Sequence, residues 1–154
     1  MLLTIDIGNT NVVWGLFEGS TLKGDWRVAT DARRTDDEYG VLFLNLLEAV
    51  GLKPTDIDDC ILSSVVPALT ATFDDMVQRF FHHTPLIVST EIDSGLTLRY
   101  ANPREIGSDR IVNAAAAYAR YRTDLIIVDF GTATTYCAVT KAGEYQPDAQ
   151  LLLC

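Results

Sequence analysis

Apolar and polar positions fall into short runs of different spacing along the chain. Residues 2–7 and 12–17 are rich in β-branched and aromatic side chains and are separated by a Gly-Asn turn, the pattern of two tightly joined strands. Residues 22–29 offer a third strand after Glu18-Gly19-Ser20, so the opening reads as a β-meander. Thr35 followed by Glu38 is a capping-box signature. It predicts a helix to about Val50, with Val41, Leu42, Leu46 and Val50 near helical spacing and Gly51 as its stop. Residues 60–66 read as a strand buried on both faces, and Pro67 suits the first turn of a helix reaching Phe81. Residues 85–89 and 96–100 are short strand candidates. Ser108 is the expected cap of an alanine-dense helix over 109–121, and residues 125–129 and 136–140 are two further strands. Strands first, then alternating helices and strands, predict an α/β fold with a mixed β-sheet flanked by helices.

Length and composition narrow the function classes. The chain has 154 residues, enough for a sizeable core, and its formal net charge of -9 disfavours nucleic acid as a partner, because phosphate backbones recruit Lys and Arg. A single nucleotide is still compatible, since backbone N–H groups, a metal ion and one or two cations can hold a polyphosphate. No apolar run approaches the ~20 residues of a membrane span, and the amino terminus lacks the basic start of a signal peptide. Cys60, Cys137 and Cys154 are scattered and odd in number, which is cytoplasmic usage rather than a disulfide framework.

The chemistry concentrates in three places. Asp6-Ile7-Gly8-Asn9-Thr10-Asn11 joins the first two strands. There Asp6 can hold Mg²⁺ beside a polyphosphate, Gly8 lets phosphate approach the backbone, and the amides and hydroxyl of the turn form an anion-binding concavity. Alone this hairpin is equally well read as an ordinary Gly-Asn turn. However, Ile126-Ile127-Val128-Asp129-Phe130-Gly131 repeats the arrangement of Leu3-Thr4-Ile5-Asp6-Ile7-Gly8 at an offset of 123 residues. Two such loops facing each other can clamp a nucleotide's phosphates. The third place is Gly107-Ser108-Asp109-Arg110 at a helix start, where Asp109 is a candidate general base and Arg110 a candidate fork for a carboxylate. By composition alone, simple helix capping with Arg110 at the surface is the better reading, since Ser-Asp at a helix start is commonplace.

In this order and at these spacings, the three motifs closely resemble type III pantothenate kinase, over residues 1–145. The resemblance implies an actin-like ATPase fold of the acetate and sugar kinase/Hsp70/actin superfamily, with ribonuclease-H-like halves at 1–122 and 123–154 and the second half incomplete. It implies ATP-dependent phosphorylation of pantothenate, the first step of coenzyme A synthesis, by a homodimer. Asp6, Ile7, Gly8, Asn9, Thr10, Asn11, Val12 and Val13 match the first ATP-phosphate loop, with Asp6 also near Mg²⁺. Thr132 matches an ATP contact, and Asp129 the ligand of a monovalent cation, potassium or ammonium. Tyr100, Gly107, Ser108, Asp109 and Arg110 match the pantothenate site, with Asp109 as proton acceptor. Ser108 stands where the family more often has alanine. Residues 146–154 do not match the family's glycine-rich continuation, so a truncated or frame-shifted product with one cleft wall missing is expected. The alternatives are a non-catalytic nucleotide-binding regulator like the Bvg accessory factor relatives, and another kinase of the superfamily, such as a sugar kinase.

Other conspicuous residues have plainer readings. His82-His83 is expected to be a solvent-facing helix end, and Asp56, Asp58 and Asp59 a helix cap or solvated turn. Arg33-Arg34 reads as a solvated loop, Cys137 as a core residue, and Trp14 and Trp26 as packing residues.

Overall fold

A computed structural model describes residues 1–100, 102 and 105–146. The chain packs as two compact units, Met1–Ile87 and Val88–Cys154.

In the first unit, β1 (Leu2–Ile7), β2 (Asn11–Glu18) and β3 (Thr21–Ala29) form the expected antiparallel meander. After α1 (Asp36–Ala49), β4 (Asp59–Ser64) pairs in parallel with β1. After α2 (Pro67–Phe81), β5 (Leu86–Ile87) pairs in parallel with β4, which gives the order β3-β2-β1-β4-β5. Alternation along the strands fills one face: Leu3, Ile5 and Ile7 of β1 and Val12, Trp14 and Leu16 of β2 are buried. They join Tyr39, Phe43 and Leu47 of α1 and Leu69, Phe73, Met76, Val77 and Phe81 of α2 in one core. Trp14 lies 4.8 Å from Phe43 and 6.4 Å from Phe73, between ring centroids. The two helices approach closely at Gly40, where a Cβ would meet the Phe80 ring at 2.3 Å.

Local signals set the helix ends. The Thr35 hydroxyl accepts from the Glu38 N–H at 3.3 Å while the Thr35 N–H donates to Glu38 Oε2 at 2.8 Å, the complete capping box. Gly51, at φ 75°, follows the Val50 C-cap. Pro67 begins α2, and His82 closes it in the left-handed conformation.

The second unit holds β6 (Thr97–Leu98), α3 (Ser108–Tyr121), β7 (Leu125–Phe130), β8 (Thr134–Val139) and β9 (Glu144–Gln146). Its sheet runs β6-β9-β8-β7, with β7, β8 and β9 antiparallel and β6 parallel to β9.

Several expectations are corrected. β4 stops at Ser64 rather than residue 66, because the Ser64 hydroxyl accepts from the Val66 N–H and donates to its carbonyl, both at 3.1 Å, turning the chain into α2. Nor is β4 shut in on both faces: Cys60 and Leu62 face the core, while Asp59 is exposed and Ile61 half-buried. The cap of α3 is Gly107, with no side-chain capping bond; Ser108 is the first helical residue and is buried. β5 and β6 are shorter than expected, and β9 was not expected at all. His82 is exposed as expected, but His83 is half-buried, with Nε2 2.9 Å from the Ile57 carbonyl oxygen. Asp56 caps the short 3-10 turn Pro54–Asp56 through the Lys53 N–H at 2.8 Å, and Asp58 pairs with the Met1 ammonium. The expectation about the divergent chain end lies outside the described residues from 147 onward.

Candidate functional site

The first hairpin carries its polar groups at the tip and its apolar groups in the core. Asp6 is exposed at the end of β1, and Asn9 and Thr10 are exposed at the turn. Ile7 and Val12 are wholly buried, so they anchor the loop and offer a ligand only their main chain. Val13 is half-buried. Gly8 donates to the Asn11 carbonyl at 2.9 Å, and a Cβ on Gly8 would lie 3.2 Å from that same oxygen. A side chain there would press on the turn, which is the close approach for which glycine is suited.

Neighbouring strands brace this turn. The Thr30 hydroxyl donates to the Gly8 carbonyl at 2.7 Å, and the Thr30 N–H donates to the Thr10 carbonyl at 3.0 Å. On the other side, Ser63 and Ser64 of β4 lie in parallel register with Asp6 and Ile7, and the Val65 N–H donates to the Ile7 carbonyl at 3.0 Å. Sequence reasoning missed Thr30, Ser63 and Ser64. The available signal was a Ser-Ser pair closing an apolar strand and a threonine just past the end of another.

In the second unit, the first turn of α3 is tied to the hairpin β7–β8. Arg110 Nη2 donates to the Tyr136 carbonyl at 3.0 Å, and Asn113 Nδ2 donates to Asp129 Oδ2 at 3.0 Å. Asp109 Oδ1 accepts from the Arg110 N–H at 2.8 Å. Arg110 Nε is buried and has no hydrogen-bond partner among the described residues, a donor that an incoming carboxylate would satisfy. Asn113, one turn after Asp109, was also missed from sequence. Cys137 and Tyr145 are buried beneath this turn. Burial pushes the Tyr145 hydroxyl up to about 12, and it raises the Cys137 thiol against the opposing pull of the Arg110 charge.

The remaining expected site residues sit nearby in sequence but not all in this cluster. Thr132 is exposed at the tip of the second hairpin, where Gly131 donates to the Ala133 carbonyl at 3.3 Å. A Cβ on Gly131 would meet that oxygen at an ordinary 3.6 Å, so this turn is less crowded than the first. Tyr100 is half-buried just beyond β6. A shallow groove over Asp124, Leu125, Ile126, Ala138, Val139 and Thr140 contains none of the expected site residues.

Among the described residues, no group of three or more His, Cys, Asp or Glu side chains could enclose a metal ion. No helix among the described residues is long and apolar enough to cross a membrane.

The structure is similar over 96% of the chain to a candidate N-acetylglucosamine kinase from Porphyromonas gingivalis, with TM-score 0.54, 15% identity and 47% of that chain covered. It is similar over 94% to the Ppx/GppA phosphatase of Aquifex aeolicus, with TM-score 0.52, 11% identity and 49% of that chain covered. The fold is that of the actin-like ATPases, as the motifs implied. The sequence model of the type III pantothenate kinases matches residues 2–148. The type III pantothenate kinase of Geobacter sulfurreducens is 52% identical over 145 residues, and that of Pelobacter propionicus 50%. Each match covers 94% of this chain, which spans 57% of the relative's length. The chain belongs to the type III pantothenate kinase family.

Proposed function

We propose that this chain carries the phosphate-binding and proton-accepting parts of an ATP:pantothenate phosphotransferase that yields 4'-phosphopantothenate for coenzyme A synthesis. The observation that carries this reading is the first turn of α3, where Arg110 is held against the hairpin β7–β8 and Asp109 lies beside it, accepting from the Arg110 N–H. Asp109 would accept the proton of pantothenate's primary hydroxyl as that oxygen attacks the γ-phosphorus in line. Arg110, with its buried Nε, would receive the pantothenate carboxylate, beside Gly107, Ser108 and Tyr100. The Asp6–Val13 stretch and Thr132 would contact the ATP phosphates.

The cation roles belong to the same proposal. Mg²⁺ would arrive with ATP and keep much of its water, Asp6 adding one carboxylate, since Mg²⁺ favours phosphates and water over an all-protein cage. Asp129, held at Oδ2 by Asn113, would accept potassium or ammonium. Homodimerisation, a cytoplasmic location and a division into two halves after residue 122 rest on the resemblance.

ADP release coupled to pantothenate in potassium or ammonium tests the reading. Asp109→Asn is expected to lower kcat about 10²–10⁴-fold, the usual worth of a general base, with an unchanged circular dichroism spectrum. No turnover and no calorimetric binding of ATP or pantothenate would overturn it. Nucleotide binding without transfer would favour the regulatory alternative, and transfer to a sugar a different kinase.

A further inference from the structure

We propose that Thr30 is a positioning residue that sets the orientation of the first phosphate loop. This inference rests on reading residues 6–13 as a phosphate site. Thr30 lies one residue beyond β3, and the pairing of Asn11 with Ala29 carries it alongside the turn. From there it holds two successive carbonyls of the tip, Gly8 through its hydroxyl at 2.7 Å and Thr10 through its backbone N–H at 3.0 Å.

The consequence follows from peptide geometry. A trans peptide sets its C=O and N–H antiparallel, and none of the described bonds is cis. Drawing the Gly8 carbonyl toward Thr30 therefore aims the Asn9 N–H away from β3. Drawing the Thr10 carbonyl the same way aims the Asn11 N–H away as well. Two N–H groups of an exposed turn are thereby presented on one side, an arrangement that favours an anion. The Gly8 carbonyl is an acceptor that would repel phosphate, and Thr30 keeps it turned aside.

Thr30 is itself fixed. The next residue, Asp31, exchanges two hydrogen bonds with the buried Tyr39 hydroxyl, its N–H donating at 3.0 Å and its carbonyl accepting at 3.1 Å. The Asp31 carboxylate is engaged by Arg33, which holds it below the usual carboxylate range. Helix α1 therefore anchors the segment that aims the loop. Ser in place of Thr30 preserves the hydroxyl; Val preserves the shape and removes it.

The test compares Thr30→Val and Thr30→Ser with the unaltered chain, using MgATP calorimetry and amide hydrogen exchange. Thr30→Val is expected to weaken MgATP binding about tenfold, the net worth of one hydrogen bond, and to speed exchange at the Gly8 amide by a similar factor. Thr30→Ser is expected to restore both, with exchange in β1 and β2 unchanged throughout. An unaltered Gly8 exchange rate in Thr30→Val, or a Ser variant as impaired as the Val variant, would overturn the role of the hydroxyl. If the unaltered chain bound no MgATP, the phosphate-site reading would fall, while the exchange measurement would still decide whether Thr30 holds the turn.

Discussion

Tyr39→Phe isolates the anchor behind the first loop, because it removes one oxygen and leaves the ring. Tyr39 is wholly buried, its ring 4.5 Å from that of Phe73, so phenylalanine keeps the same apolar contact. The Arg34 guanidinium, 5.7 Å from the ring centroid, keeps its aromatic face as well. What is lost is the pair of hydrogen bonds to the Asp31 main chain. Each is worth about 0.5–1.5 kcal/mol net, which gives an upper range of about 1–3 kcal/mol. Asp31 is half-buried, so water can reach its freed groups, and the expected loss is about 1–2 kcal/mol. Against a typical domain stability of about 5–15 kcal/mol the unit stays folded. Urea unfolding followed by tryptophan fluorescence suits the question, since both tryptophans of the chain, Trp14 and Trp26, belong to the first unit. With a slope of about 1 kcal/mol per molar urea, the midpoint should fall by about 1–2 M. A loss below about 0.5 kcal/mol would mean the hydroxyl pair contributes nothing beyond what water supplies. A loss above about 3 kcal/mol would mean that the ring itself had moved, and the hydrogen-bond account would fail.

Two further predictions concern buried protons and the second hairpin. Burial, reinforced by the neighbouring Asp59 charge, pushes the Cys60 thiol from 9.0 up to about 12. The folded chain therefore keeps a proton that the unfolded chain releases above pH 9; this stability is fully present below pH 9 and is lost toward pH 12, on the order of 4 kcal/mol in all. Urea midpoints across that window should fall steeply in the unaltered chain and less steeply in Cys60→Ala; equal slopes would refute the assignment. Asn113→Leu removes the donor to Asp129 Oδ2 and should raise the potassium concentration for half-maximal ADP release about tenfold. An unchanged potassium titration would show that Asn113 does not orient that carboxylate.

The sequence made legible those features whose cause is local. The strand over residues 2–7, the Thr35–Glu38 capping box and the Pro67 helix start all appear where the pattern placed them. β9 was invisible because three residues carry no periodicity; pairing with β8 and β6 makes them a strand, and burial of Tyr145 fixes their face. Ser108 was misread because a serine before a helix resembles a cap whichever of two adjacent positions it occupies, and packing, not propensity, placed it inside. The same limit hid most of the bracing around the candidate site. Nothing in Ala29-Thr30-Asp31 announces a loop clamp; the register Asn11 to Ala29 delivers Thr30 to the Gly8 carbonyl. Asn113 likewise reads as one polar residue in an alanine-rich helix until β7 brings Asp129 within 3.0 Å.

The two Asp-x-Gly hairpins share a sequence pattern but are held by different means, and this decides which substitutions can be interpreted. The first is braced from β3 and β4 and from α1, through Thr30, Val65 and the Tyr39–Asp31 pair. Its aim can thus be altered without touching any residue of the Gly107–Arg110 motif. The second is braced from α3, since Arg110 of the motif holds the Tyr136 carbonyl and Asn113, further along the helix, holds Asp129. Arg110→Ala would therefore remove the proposed carboxylate-binding fork and a hairpin support together, so a fall in activity would report on both at once. Arg110→Lys is no cleaner, because an ammonium is a point charge that cannot hold a carbonyl and a carboxylate in the fixed geometry of a guanidinium. Asp109 differs: its recorded bond is to the next N–H of its own helix, so Asp109→Asn keeps an acceptor oxygen there and leaves the hairpin untouched. A loss of transfer in that variant, with the second hairpin's amide exchange unchanged, reports on proton acceptance and not on architecture.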